Sequence, residues 1–142
     1  RVIFLDHLSI LLSGLDGDER RMIDSTMTRL RSLVERTGIT LFLVSHLRRS
    51  NSDSNSHEEG GRVSLGQLRG SHSISQISDC VIALERDQQS EDSNNTTTVR
   101  VLKNRHSGEV GIATRLDYDL STCKFYENKT TEQPEFDPTV DF

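Results

Sequence analysis

Apolar residues form three unbroken runs along this chain, and polar residues follow each of them. The runs cover residues 2–5, 39–44 and 80–84, and Val, Ile, Leu and Phe make up most of them. Runs of this length without polar alternation predict strands buried on both faces of a parallel sheet. We therefore expect three core strands, with ligand-facing residues at their carboxyl ends.

Between the first two runs, apolar residues recur at helical spacing. We expect a helix over residues 18–37, preceded by a loop rich in Ser, Gly and Asp at 13–18. Asp16 or Asp18 can cap its start, and Gly38 follows its end. Strand, helix and strand in this order predict a right-handed βαβ crossover. The apolar face of the helix consists of Met22, Ile23, Met27, Leu30, Leu33 and Val34.

The second half of the chain predicts a long loop and then an antiparallel extension. Residues 47–62 are a polar loop, and residues 63–78 suit short helical pieces. Residues 97–103 alternate as a strand, and residues 110–118 and 124–126 add antiparallel strands. The fold class is therefore α/β, with one domain over residues 1–126. Residues 127–142 form an acidic tail that ends in Phe, and we expect this tail to be disordered.

Composition narrows the class of protein. The 142 residues are 32% hydrophobic and 27% charged, which is typical of a soluble globular domain, and no stretch is long enough to span a membrane. The net charge of −5 leaves nucleic-acid contacts to local basic patches. Cys80 and Cys123 are expected to be buried free thiols, and a zinc-type site is not expected. Because the chain opens directly on a core strand, we expect the natural protein to begin further upstream.

Two of the predicted strands end in polar pairs, Asp6-His7 and Ser45-His46. An Asp at this position in P-loop nucleotidases holds a magnesium ion, directly or through water. His46 could donate a hydrogen bond to a terminal phosphate, whereas His7 is expected to support the site. The alternatives are a capping Asp and a strand-end histidine satisfied within the fold.

Basic residues at three further places could contact phosphates or bases. Arg48, Arg49 and Arg62 flank the Ser/Asn loop and suit a phosphate backbone, although acidic residues in the loop also allow a solvated loop. Lys103 and Arg105 precede the Gly108 turn, where an Arg can reach a neighbouring subunit's nucleotide or form a surface ion pair. Arg86 and Tyr118 form a third pair. They could bind a base between them, or they could be ordinary exposed side chains at a sheet edge.

Taken in order, these segments resemble a known family. They are similar to the carboxyl-terminal half of the RecA-like motor of ring-shaped replicative helicases, in the DnaB-like group that includes the primase–helicases of T-seven-like phages. The matching stretches are VIFLDHLSILLSG, DERRMIDSTMTRLRSL, LVSHLRR, HEEGGRVSLGQLRGS, QISDCVIALERDQQ and VRVLKNRHSGEVGIA.

The resemblance implies a RecA-like P-loop nucleotidase core, with a mostly parallel sheet and antiparallel carboxyl-terminal strands. It implies hydrolysis of ATP or dTTP with Mg²⁺, and a homo-hexameric ring that moves along single-stranded DNA in the cytoplasm of a phage host. Asp6 would hold the Mg²⁺, His46 would sense the phosphate, and Arg105 would serve the adjacent subunit's nucleotide. The residues expected to contact or respond to the nucleotide are Arg86, Tyr118, Lys103 and Gln76.

The resemblance also implies macromolecular partners. Arg48, Arg49, Arg62 and Arg69 would contact single-stranded DNA. Asp141 and Phe142, at the tip of the acidic tail, would dock on the replicative DNA polymerase.

Some motifs of that family are absent from this sequence. Nothing reads G-x-x-x-x-G-K-[ST], and the catalytic Glu between the two Walker motifs is missing. We therefore expect a part of a helicase that cannot hydrolyse nucleotide alone. The alternatives are a RecA-like recombinase or circadian-type ATPase, an unrelated α/β domain, and a non-catalytic module for ring assembly or for binding DNA or polymerase.

Overall fold

Strands and helices lie close to where the apolar pattern predicts them. The computed structural model describes residues 1–13, 17–48, 57–68, 72–91 and 93–128. In chain order the elements are β1 (Val2–Leu5), α1 (Leu8–Leu12), α2 (Glu19–Thr37), β2 (Thr40–Leu43), a 3-10 turn (Leu65–Gln67), α3 (His72–Ile77), β3 (Cys80–Arg86), β4 (Thr96–Asn104), β5 (Gly111–Asp119) and β6 (Lys124–Glu127).

The strands form two sheets within the described residues. β1 and β2 pair in parallel, in register from Val2 opposite Thr40 to Leu5 opposite Leu43. The remaining strands form an antiparallel sheet in the order β3-β4-β5-β6. The α/β class and the antiparallel carboxyl-terminal strands predicted from the sequence are confirmed. The expectation that β3 is a third strand of the parallel sheet is wrong within the described residues, because a short turn leads from β3 to β4 and these two strands pair antiparallel.

The ends of α2 follow from local chemistry. The Asp18 carboxylate accepts hydrogen bonds from the backbone N–H groups of Arg20 (2.9 Å) and Arg21 (3.4 Å), which have no partner inside the helix. Gly38 ends the helix in the left-handed region (φ 64°), where a side chain would be strained. The predicted helix is confirmed with Asp18 as its cap. Asp16 lies outside the described residues.

The core lies between the helices and the parallel sheet. Five buried residues form it, with Leu43 of β2 packed against it. α1 supplies two of them, although the sequence did not predict this helix. Because α1 has only five residues, it is too short for a helical period to emerge. The buried residues are Leu8, Leu12, Ile23, Met27 and Ile74.

The outer face of the parallel sheet carries exposed aromatic rings. Phe4 is 74% exposed, and its ring stacks on Phe42 with centroids 4.8 Å apart. Ile82 and Leu84 of β3 are exposed as well. The expectation of strands buried on both faces is therefore wrong within the described residues, because packing covers at most one face of each strand.

Both cysteines are exposed, so the prediction of buried thiols is also wrong. Cys80 opens β3 at the edge of its sheet, and Cys123 lies in the turn between β5 and β6 with φ 55°. Neither thiol is buried, because strand ends and turns lie at the surface. In the part of the chain that is described, no helix is long and apolar enough to cross a membrane.

An ion pair inside the antiparallel sheet anchors the segment that follows the long loop. The Arg100 guanidinium donates to both carboxylate oxygens of Glu85 at 2.9–3.1 Å, and the Val63 N–H donates to one of them at 2.8 Å. The Glu85 side chain is only 5% exposed. Burial alone would raise the pKa of Glu85, but the bonds from Arg100 and Val63 outweigh it and lower the pKa below its usual value.

Replacing Leu8 by Ala is expected to lower the free energy of unfolding by about 2–5 kcal/mol, because it opens a cavity in the core. Leu8 is 3% exposed, whereas Leu11 on the same helix is 42% exposed. The matched change Leu11→Ala is expected to cost less than about 1 kcal/mol. Urea denaturation of both variants measures the difference, and equal losses would contradict the assigned core.

Replacing Glu85 by Gln is expected to lower the free energy of unfolding by about 3 kcal/mol at neutral pH, because Arg100 and the Val63 N–H lose a charged partner. Since the folded pKa of Glu85 is lowered, its contribution is fully present above its unfolded pKa of about 4.3 and is lost as pH falls through the folded value. Unfolding of wild type and variant, measured from pH 7 down to about pH 3, should converge in acid. The exposed Glu35→Gln is the control, and a pH-independent gap would contradict this assignment.

Candidate functional site

The carboxyl ends of β1 and β2 lie side by side and carry the two polar pairs. The Val44 N–H donates to the Leu5 carbonyl, and the Leu8 N–H donates to the Val44 carbonyl, both at 3.0 Å. These bonds bracket Asp6 and hold it beside the start of the segment that contains His46. Asp6 and His46 are both exposed at this edge. The sequence prediction that the two strand ends share one edge is therefore confirmed.

His7 and His46 are in direct contact. Their ring centroids are 4.3 Å apart and the rings meet edge to face at 67°. The Nδ1 atom of His7 is enclosed and has no hydrogen-bond partner among the described residues. His7 therefore limits the orientation of the His46 ring by packing, while His46 remains open to solvent.

Directly after His46, the start of the long polar loop pairs with residues that follow the loop. Leu47 and Leu68 form an antiparallel bridge, and the Arg48 N–H donates to the Gln67 carbonyl at 2.8 Å. The Arg48 carbonyl is also 3.2 Å from Nε2 of His57. Arg48 is exposed at this loop base, so its guanidinium is available to a ligand. Among the other predicted DNA contacts, Arg62 is exposed and directly precedes the buried Val63. Arg49 and Arg69 lie outside the described residues.

Lys103 binds the carboxyl end of α3. Its ammonium donates to the backbone carbonyls of Ser75 (2.7 Å), Ser78 (2.9 Å) and Gln76 (3.2 Å). An ammonium has three donors, so these contacts use all of them. A positive charge also suits the negative end of a helix. For Lys103 to contact a nucleotide, as the sequence predicts, some of these bonds would have to open.

Arg105 is held against the same helix end. One guanidinium nitrogen lies 3.0 Å from the Asp79 carboxylate, and the other donates to the Gln76 carbonyl at 2.7 Å. The second oxygen of Asp79 accepts from Arg31 of α2 at 2.7 Å, and Arg31 also binds Glu35. The bonds to Glu35 and then to Asp79 raise the pKa of Arg31. Sequence reasoning missed Asp79, because its partners lie 26 and 48 residues away.

Arg86 and Tyr118 lie on one face of the antiparallel sheet. Arg86 is paired with Thr97, Thr97 with Leu116, and Tyr118 comes two positions later on β5. Nε of Arg86 donates to the Asn94 carbonyl at 2.6 Å. The Tyr118 ring lies against Phe125 with centroids 4.9 Å apart, and a hydrogen bond with Cys123 raises the Tyr118 pKa. Two strand spacings and an offset of two residues along β5 separate the two positions by roughly 12 Å, at the same end of the sheet.

Asp6 is the acid at this edge that suits a metal ion. Among the described residues, no group of three or more His, Cys, Asp or Glu side chains is arranged so that it could hold a metal ion. Mg²⁺ does not need such a cluster, because it binds one or two carboxylates and takes its remaining ligands from phosphates and water. An exposed carboxylate at the end of a parallel strand therefore fits a magnesium ion that arrives with a nucleotide. The predicted polymerase contacts, Asp141 and Phe142, lie outside the described residues.

Comparison with known proteins identifies a family and a relative that are similar to this chain. Residues 1–127 match the family model of the DnaB-like helicase C-terminal domain. A DNA helicase/primase of Enterobacteria phage T3 is 45% identical over 122 residues, which are 85% of this chain and 21% of that protein. The chain therefore spans about a fifth of the length of this relative.

Two solved structures share the fold. One is a DnaB-like replicative helicase studied with its interactions with primase (TM-score 0.71, 21% identity, 87% of this chain and 30% of that chain). The other is an ATPase domain (TM-score 0.67, 23% identity, 87% and 43%). This likeness confirms the predicted RecA-like fold. By the match over residues 1–127, the chain belongs to the family of the DnaB-like helicase C-terminal domain.

Proposed function

We propose that this chain is the part of a replicative DNA helicase motor that binds Mg²⁺, senses the terminal phosphate and contacts DNA. The observation that carries the proposal is the convergence of Asp6 and His46 at the ends of two adjacent parallel strands. In open α/β sheets this edge is where ligands bind. The substrate would be ATP or dTTP, hydrolysed to drive movement along single-stranded DNA.

In this proposal each residue at the edge has a separate task. The Asp6 carboxylate binds Mg²⁺, directly or through water. The metal, when bound with the nucleotide, supplies positive charge against the phosphates. His46 donates a hydrogen bond to the terminal phosphate, and His7 keeps the His46 ring in place. Because Arg48 follows His46 by two residues, loss of the phosphate contact can change the loop base.

The same proposal assigns DNA contacts to the arginines around the long loop. Arg48 and Arg62 are exposed near its two ends, and Arg49 and Arg69 belong to the same set by sequence. Guanidinium groups bind backbone phosphates without reading bases, which suits a motor that moves along any sequence. With few basic residues in a Ser/Asn-rich loop, DNA affinity depends on a small number of charges.

Hydrolysis in this scheme takes place between subunits of a homo-hexameric ring. Asp6 and His46 serve one nucleotide, while Arg105 of the adjacent subunit stabilises charge on the phosphate during transfer. Arg86 and Tyr118 hold the base, Lys103 binds the nucleotide beside Arg105, and Gln76 couples nucleotide state to DNA. Asp141 and Phe142 dock on a replicative polymerase, and the protein works in the cytoplasm of a phage host.

The phosphate-binding loop must come from another part of the motor, because this sequence lacks G-x-x-x-x-G-K-[ST]. We expect the 142-residue chain alone to have no measurable hydrolysis. A chain without this loop could still serve a second candidate function, as a non-catalytic module that assembles rings or binds DNA or polymerase. Single-stranded DNA binding that responds to nucleotide would favour the motor, whereas polymerase binding alone would favour the module.

In the complete motor, Arg105→Ala is expected to reduce hydrolysis by about a thousandfold or more while nucleotide binding is kept, because the transition-state charge loses its partner. Asp6→Asn should also be inactive. Rings mixed equally from the two variants should recover up to about one quarter of wild-type hydrolysis, since that share of interfaces has both groups intact.

The control for these rings is Arg36→Ala, which removes an exposed arginine near the end of α2 and should leave hydrolysis unchanged. If the mixed rings stay inactive although each variant assembles, Asp6 and Arg105 do not serve opposite sides of one interface. Normal hydrolysis by Arg105→Ala would remove Arg105 from the mechanism altogether.

Arg48→Ala is expected to weaken binding of single-stranded DNA to the complete motor, uniformly across sequences, because one phosphate contact is lost. The slope of log affinity against log salt should fall by about one. Fluorescence anisotropy with labelled oligonucleotides across a salt series measures both effects. Arg36→Ala serves again as the matched control, and an unchanged slope in Arg48→Ala would exclude Arg48 from the DNA interface.

A further inference from the structure

Asp79 connects the junction between α3 and β3 to two other parts of the fold, α2 and the turn that follows β4. It lies between α3 and β3, and its two oxygens bind different guanidinium groups: Oδ1 binds Arg105 at 3.0 Å and Oδ2 binds Arg31 at 2.7 Å. Its backbone carbonyl also accepts the N–H of Arg105 at 2.8 Å. The hairpin that carries Arg105 is therefore tied through Asp79 to α2, the helix between β1 and β2.

These contacts fix the direction of the Arg105 side chain without enclosing it. The guanidinium is bound at Asp79 and at the Gln76 carbonyl (2.7 Å), yet the side chain is 45% exposed. A guanidinium has five N–H donors, so two contacts leave others available to a phosphate. A free arginine would lose rotamer entropy on engaging a phosphate, and prior anchoring removes much of that cost.

The anchor also connects Arg105 to the base of the long loop. Leu68, which pairs with Leu47 beside Arg48, comes shortly before α3 in the chain and packs against the core. α3 then leads to Asp79, and its last carbonyls are bound by Lys103 and Arg105. A shift of α3 in response to DNA would therefore move the groups that hold Arg105.

We propose that Asp79 is a positioning residue, which orients Arg105 for the nucleotide of the adjacent subunit and transmits the position of α3 to it. This inference rests on the proposed role of Arg105 and goes beyond it by naming the residue on which that role depends. Asp79 contacts no substrate itself. Its effect should therefore appear in kcat, and nucleotide binding should be little changed.

If Asp79 had a purely structural role, loss of its carboxylate would destabilise the fold or the ring. The three side chains are between about one third and one half exposed, at 34%, 38% and 45% for Arg31, Asp79 and Arg105. Ion pairs at this exposure contribute little to folding stability. Loss of the carboxylate should therefore leave the fold and the ring assembled, so that hydrolysis can be measured.

The test uses Asp79→Asn in the complete motor. We expect kcat to fall about tenfold or more and KM to change less than about threefold. Arg31→Gln is the matched variant, because it removes the second guanidinium from Asp79 and leaves the contact with Arg105. Its kcat should stay within about twofold of wild type. Light scattering and thermal melting confirm that both variants assemble.

Mixed rings then locate the defect. Asp79→Asn subunits should recover activity when mixed with Asp6→Asn subunits, which present an intact Arg105, but not when mixed with Arg105→Ala subunits. That pattern supports the proposal. Recovery with Arg105→Ala, a normal kcat in Asp79→Asn, or an equal loss of kcat or of assembly in Arg31→Gln would overturn it.

The proposed role of Arg105 can fail separately. If Arg105→Ala hydrolyses normally, that assignment fails whatever Asp79 does. If Arg105→Ala is inactive while Asp79→Asn is normal, the role of Arg105 is supported and only the positioning role of Asp79 is refuted.

Discussion

The parallel pairing of β1 with β2 is the constraint on which the candidate site depends. Parallel strands end at the same edge, and backbone bonds from Val44 to Leu5 and from Leu8 to Val44 close that edge around Asp6. An acid and a histidine separated by 40 positions in sequence thereby become neighbours. No side-chain contact between Asp6 and His46 is needed, because the backbone ladder sets their relation.

Lys103 and Arg105 belong to the antiparallel sheet and its β4–β5 turn, and charged groups as well as the apolar core join this part of the structure to the edge that carries Asp6 and His46. Arg31 on α2, Asp79 before β3 and Arg105 after β4 form a continuous line of ion pairs. α2 also supplies Ile23 and Met27 to the core beneath β1 and β2. Arg105, which in the proposed function acts on a neighbouring subunit, is thus connected to α2. This helix packs beneath β1 and β2 and so supports Asp6 of its own subunit.

Features governed by local chemistry could be predicted from the sequence. The apolar face and caps of α2, the strands and the polar strand ends all follow from residues close together in the chain. Features governed by distant partners could not, and the bonds of Lys103 to α3, the Glu85–Arg100 pair and the role of Asp79 are examples. Burial was overestimated for Phe4 and Cys80, because composition does not reveal which strand face packing covers.

The six-residue helix α3 has a consequence for the order of folding. A helix this short is not stable alone in water, and its last carbonyls are bound by Lys103 and Arg105, which lie 25 to 29 residues further along the chain. α3 therefore gains its hydrogen-bond partners only after the β3–β4 pairing has formed. In hydrogen exchange its amides would therefore report on that hairpin as well as on α2, because Ile74 of α3 packs in the core with Ile23 and Met27.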